Sequence, residues 1–139
     1  MRKRRDDRDE RGHSLTVFVA VVVAALILMA GLVVDGGAQS AASRKAHQVA
    51  AQAARAGTDA GATARAGGRE ADSAEMLAAA RQVLAGSGVQ GTATVSGGAV
   101  EVRTRVSTDT VFLSIIGIRT LSAEADATSV LLASDRAGG

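Results

Sequence analysis

Leu15–Val34, LTVFVAVVVAALILMAGLVV, carries no charge over its whole length. About 20 residues at ~1.5 Å of rise make a helix of roughly 30 Å, the thickness of a bilayer's hydrocarbon core. Its Leu, Ile, Val and Phe residues each favour the membrane centre by about 0.3 to 0.6 kcal/mol, so the sum reaches several kcal/mol. A helix this long in a soluble core normally keeps a polar face, whereas here only Thr16 interrupts the apolar surface, and its hydroxyl can bond a carbonyl one turn back. The stretch predicts a transmembrane helix, and the rest of the chain is then sorted by side.

Before it stands MRKRRDDRDERGHS, with Arg2, Lys3, Arg4, Arg5, Arg8 and Arg11 set among Asp6, Asp7, Asp9 and Glu10; after it the first basic residues are Arg44 and Lys45. Orientation follows the Lys/Arg bias next to the span rather than net charge. The N-terminus is therefore expected to be cytoplasmic and the remainder extracytoplasmic, in a single-pass protein of the plasma membrane. A cleavable signal peptide shares the basic start, but its apolar core is usually ~7 to 15 residues and ends in a small-x-small site. This run ends in Val33-Val34-Asp35-Gly36-Gly37, and Ala38-Gln39-Ser40 is a poor cleavage site. The pair Arg4-Arg5 is followed at once by acids, which is wrong for twin-arginine export. The leader, without periodicity and of mixed sign, reads as a solvated tail whose basic residues can also rest on anionic headgroups.

Composition limits what lies outside. The chain has 139 residues, no Cys, Trp, Tyr or Pro, and Phe18 and Phe112 as its aromatics. That leaves large apolar material for one small domain, which can use neither disulfides nor, with His13 and His47 far apart, a histidine metal site. A net charge of +2 with dispersed basic residues gives no nucleic-acid footprint.

After the span, Ala38–Ala56 is built from strong helix formers and predicts a continuation of the membrane helix past Gly36-Gly37, with a bend. Its apolar positions are nearly all Ala, which buries little area but allows close approach to a neighbour. Gly57, Gly61, Gly67 and Gly68 then predict a flexible connector through Arg69. A second helix is expected from Asp72, with Asp72 and Glu75 at capping-box spacing, a stripe of Met76, Leu77, Ala80, Val83 and Leu84, and a stop at Gly86-Ser87-Gly88. From Gly91 the period changes to two. Gly91–Ser96 and Ala99–Val106 alternate on either side of Gly97-Gly98, which predicts a β-hairpin. Thr108-Asp109 can cap a short helical turn over Val111–Ile116, closed by Gly117, and Leu121–Thr128 alternates as a third strand with an apolar continuation through Val130, Leu131 and Leu132. Laid antiparallel beside the second strand, the third would set Glu124 and Asp126 against Arg103 and Arg105. The organisation expected is thus α+β: leader 1–14, transmembrane helix 15–34, Ala-rich helix and Gly-rich connector 35–71, a small extracytoplasmic domain of one helix and three antiparallel strands over 72–134, and a tail 135–139.

Chemistry-bearing patterns are sparse. No GxSxG, HExxH, Walker-type or paired-carboxylate arrangement occurs, and the glycine pairs lack GxGxxG spacing. The expectation is a protein that is not an enzyme, with no catalytic, cofactor-binding or metal residues, no small-molecule substrate and no nucleic-acid partner. The candidates that remain are Asp35, Gly36 and Gly37 at the outer end of the span, as membrane-edge or helix-packing residues. Asp35 reads first as the charge that ends the apolar run and second as a contact to a partner.

The leader ending Glu10-Arg11-Gly12-His13-Ser14, the span running into Gly31-Leu32-Val33-Val34-Asp35-Gly36-Gly37, the helix with Ala53-Ala54-Arg55-Ala56, and the tail Thr110-Val111-Phe112-Leu113-Ser114-Ile115-Ile116-Gly117 followed by Ala123-Glu124-Ala125-Asp126-Ala127-Thr128 together resemble the TadE/TadG-like proteins of Flp (Tad) pilus-assembly clusters. The likeness is greatest to the small versions of high-GC Gram-positive bacteria and covers most of residues 9–130. It implies a pseudopilin-like envelope protein that partners the bilayer and other pilus-assembly or pilin-like membrane proteins. It also implies a possible prepilin-peptidase cut after Gly12, although Val17 stands where pilin-type substrates carry a glutamate. The competing function is a signal-anchored adaptor or partner subunit of another envelope pathway.

Overall fold

A helix with apolar surface all round, followed by an Ala-rich segment with no proline, has no local reason to stop at the end of its apolar half. In the computed structural model, which describes residues 6–131 and their side chains from Ser14 onward, the first helix is accordingly continuous. Helix α1 spans Asp6–Ala66, 61 residues, or roughly 90 Å of axis. It is followed by α2 (Ser73–Ser87), β1 (Gln90–Ser96), β2 (Ala99–Asp109), a turn of 3-10 helix at Leu113–Ile116, and β3 (Thr120–Val130). The layout is α+β, with one helix among the described residues long and apolar enough to cross a membrane.

Three boundaries depart from the sequence reading. First, α1 already begins at Asp6, inside the segment read as a solvated tail, because extending an existing helix avoids the cost of nucleating one. Second, Gly57 and Gly61 lie inside α1, which runs nine residues past Gly57, so the connector shrinks to the few residues before Ser73. These glycines are contact points rather than breaks. A Cβ on Gly57 would stand 2.9 Å from the Met76 carbonyl oxygen and 3.0 Å from Val100, and one on Gly61 would stand 2.9 Å from the Met76 sulfur. Third, Thr108 and Asp109 extend β2 instead of capping the turn after it. Leu132 and the tail 135–139 lie outside the described residues, as do Met1–Arg5 of the leader.

Helix α2 matches its expected start: Asp72 is the N-cap, its carboxylate accepting from the Ala74 N–H at 2.9 Å. Glu75, at the capping-box position, pairs instead with Arg69 at 3.4 Å. The strands form one antiparallel sheet in the order β1-β2-β3. Gly97 and Gly98, with φ of 58° and 78°, make the two-residue turn between the first two. In the second pairing Arg103 lies opposite Asp126 and Arg105 opposite Glu124, the register the alternation predicts. Arg103 and Asp126 form an ion pair at 3.1 Å, and Arg105 pairs with Glu124. All four side chains stand in solvent, so each pair contributes only about 0–1 kcal/mol.

One sheet face is thus charged and open, and the other is covered. The C-terminal half of α1 lies along β2 and β3, while α2 packs on α1 and β1. The buried stripe on α1 is Ala42, Ala46, Val49, Ala50, Ala53, Ala54 and Ala64, facing Met76, Ala80 and Leu84 of α2 and Val100, Val102, Ala123 and Ala125 of the sheet. Met76, Val100 and Val102 are the largest apolar side chains wholly inside. With so little volume per residue, cohesion depends on close backbone approach, which Ala and Gly permit. Polar cross-ties fix the helix on the sheet at three heights. Thr104 Oγ1 donates to the Ala46 carbonyl at 2.9 Å, Thr58 and Ser129 share a hydroxyl hydrogen bond of 2.9 Å, and Gln39 Nε2 donates to the Ser122 carbonyl at 3.1 Å.

Candidate functional site

The lowest cross-tie occurs where α1 passes from apolar to polar. Gly31, Asp35 and Gln39 stand at successive four-residue intervals and so on one face of the helix. That face meets the segment joining β2 to β3. The segment is closed at its neck by the Thr110 N–H, which donates to the Arg119 carbonyl at 2.9 Å, and by the Thr110 hydroxyl on the Ile118 carbonyl. Within it, N–H to C=O bonds from Ile115 to Phe112, Gly117 to Ser114 and Ile118 to Leu113 fold Leu113–Ile116 into the 3-10 turn, and Gly117 closes it with φ of 92°.

The turn has no cap of its own, since Phe112 at the N-cap position makes no capping hydrogen bond. Its orphan N–H groups are met from 76 residues away. Asp35 Oδ1 accepts from the Val111 N–H at 2.8 Å, and Oδ2 accepts from those of Phe112 at 3.1 Å and Leu113 at 2.7 Å. Asp35 is 2% exposed, a charged carboxylate removed from water whose acceptors are occupied by three backbone donors. The N–H groups of Val111 and Leu113, and to a lesser degree that of Phe112, hold its carboxyl below the ordinary value of 3.8, against the desolvation that pushes it up. One turn below, the Phe112 ring lies on Gly31, where a Cβ would fall 2.4 Å from the ring's Cγ. The aromatic ring thus fills the gap left by the missing side chain.

The outer side of this loop is apolar and bare. Ile115 is 80% exposed and Ile116 72%, with Val111 and Ile118 also open. They continue the surface of the apolar half of α1, where Leu28, Leu32, Val33 and Val34 are likewise exposed. Among the described residues, every exposed large hydrophobic side chain except Val130 belongs to the apolar helix or to this loop.

Of the residues singled out from the sequence, Asp35 is therefore at the centre of the site, but its contact is made within the chain. Gly36 and Gly37 lie next to it on α1 with open space where a Cβ would be, so they pack against nothing in the chain. Gly12 belongs to the first turns of α1, roughly 35 Å along the axis from Asp35 and before the residues whose side chains are described. Gly31 and Phe112 carried no individual signal in the sequence. A retrospective hint is the coincidence of an unneutralised acid with a glycine four residues earlier.

Elsewhere, the charged sheet face holds an open depression of about 470 Å3 lined by Gln90, Thr92, Arg103, Arg105, Glu124 and Asp126, in which the charges already pair with each other. His47 is exposed on α1. Among the described residues, no group of three His, Asp or Glu side chains is placed to hold a metal ion. The chain matches no family model, and no curated protein or solved structure is significantly similar to it.

Proposed function

We propose that the protein is a membrane-anchored structural or assembly component of a thin-pilus or related secretion apparatus, of the kind the TadE/TadG-like resemblance implies, with its N-terminus cytoplasmic and its α+β domain extracytoplasmic. The observation that carries this reading is the unbroken α1, charge-free over Leu15–Val34 and embedded over its second half in a domain of small residues. Such a spine joins anchor and domain rigidly, which is what a subunit that must transmit position between a bilayer and an assembly requires. The basic residues at 2–11 supply the orientation, and on the open sheet face Arg103 and Arg105 are already paired with Asp126 and Glu124.

The Asp35 contact favours an anchor that is retained. A cut after Ala38-Gln39-Ser40 would remove both Asp35, the acceptor of three loop N–H groups, and Gln39, the donor to the Ser122 carbonyl, whereas a cut after Gly12 would leave both intact. In a strain that makes thin surface fibres, deleting the gene is expected to abolish or sharply reduce them in electron micrographs. The full chain should restore them, and the mass of the purified protein should show residues 15–139 present. Unchanged piliation in the deletion strain would overturn the proposal.

A further inference from the structure

We infer that the loop between β2 and β3 is a second membrane contact, with Ile115 and Ile116 seated among the lipids of the leaflet on the domain's side. This rests on the reading of Leu15–Val34 as a bilayer span and adds a partner for the loop, the lipid itself. The depth of the loop follows from its contacts. Phe112 covers Gly31, which lies about one helical turn, or ~5 Å, inside the apolar end at Val34. Asp35, one residue beyond that end, holds the backbone of Val111, Phe112 and Leu113. The headgroup zone is only about 5–7 Å thick on each side, so the loop cannot stand clear of it while Phe112 remains on Gly31.

Its composition agrees with that depth. Val111, Ile115, Ile116 and Ile118 present their side chains outward, while the N–H groups of Val111, Phe112 and Leu113 are taken up by Asp35 and those of Ile115, Gly117 and Ile118 by carbonyls of the turn, which lowers the cost of bringing this backbone toward lipid. Arg119 stands exposed at the neck, at the level where phosphate headgroups lie. A second copy of the chain is the competing occupant. A subunit interface would be expected to draw apolar side chains from the domain's flanks as well, yet the open sheet face is charged and, among the described residues, the exposed large hydrophobics other than Val130 are gathered at the membrane end.

The chain has no tryptophan, so single-tryptophan variants of the full-length protein report position directly. Ile116→Trp, Leu26→Trp in mid-span and Thr94→Trp on the far end of the sheet face are reconstituted in phosphatidylcholine–phosphatidylglycerol vesicles. A fraction of the lipid is brominated either near the top or near the end of its acyl chains. Ile116→Trp is expected to emit to the blue of Thr94→Trp and to be quenched most by the shallow bromines, while Leu26→Trp is quenched most by the deep ones. If Leu26→Trp is quenched and Ile116→Trp behaves like Thr94→Trp, the loop lies in water and the inference is overturned with the span intact. Blue-shifted emission at Ile116→Trp that bromines do not quench and that fades as the protein is diluted in lipid assigns the loop to a second copy, which also overturns it. Loss of quenching at Leu26→Trp overturns the span and, with it, the inference.

Discussion

Helix α1 admits a large side chain through a glycine in two places, and the two are built on opposite plans. Around Gly57 and Gly61, Met76 lies in the buried apolar cluster with Val100 and the alanines of the helix, and Leu131 packs against it. Around Gly31, Phe112 is only half-buried; the fastening is the carboxylate of Asp35, and Val111, Ile115, Ile116 and Ile118 of the loop are left open. The first contact holds the domain together. The second holds the domain at a fixed height on the helix, and its bare apolar residues await something outside the chain.

This division can be broken most visibly at the enclosed contact. Met76→Ala removes the largest buried apolar side chain of α2 and is expected to cost about 2–5 kcal/mol, lowering the urea midpoint for the sheet domain of the full chain in micelles. Exchange of the β2 amides is the readout, and the loop amides should follow them. Gly31→Ala is next. Overpacking against Phe112 is expected to cost about 1–3 kcal/mol locally, seen as faster exchange at Val111–Leu113 with β2 unchanged. Adding Phe112→Ala removes the ring atoms nearest the new Cβ but leaves the Phe112 Cβ at 2.8 Å, so protection should return only in part. Loss of β2 protection in Gly31→Ala would show that the two contacts are one cooperative unit.

Asp35→Asn is expected to have the smallest effect, confined to the loop. It removes the charge and one of the two acceptor oxygens, so the amides of Val111, Phe112 and Leu113 should exchange faster than in the native chain. The carboxyl is held below 3.8 in the folded protein, so its contribution is complete above the unfolded value and is lost as pH falls through the lower folded one. The difference between native chain and Asp35→Asn should therefore be constant from neutral pH to about pH 5 and close only below the ordinary carboxylate range. A difference that closes near pH 6 would mean that another group controls the loop.

Local chemistry made much of this legible. The charge-free run from Leu15, the Asp72 cap, the Gly97-Gly98 turn and the two-residue alternation that pairs Arg103 with Asp126 are each encoded within a few residues. What was misread depended on distant neighbours. Gly57 looks like a helix breaker until Met76 and Val100 are seen against it. Asp109 looks like the cap of the following turn because it adjoins it, whereas the cap used is Asp35, 76 residues before Val111. Nothing in the spacing of either segment announces that pairing.

The adjacent Gly36 and Gly37 are the most pliable link of a 61-residue rod. Asp35, just below them, is held by the loop between β2 and β3, and Gln39, just above, by β3 itself. The loop therefore acts as a splint across a joint, and the domain swings with the rod rather than about it for as long as the splint holds. Removing the whole loop, ring and carboxylate contacts together, would leave that joint without its brace.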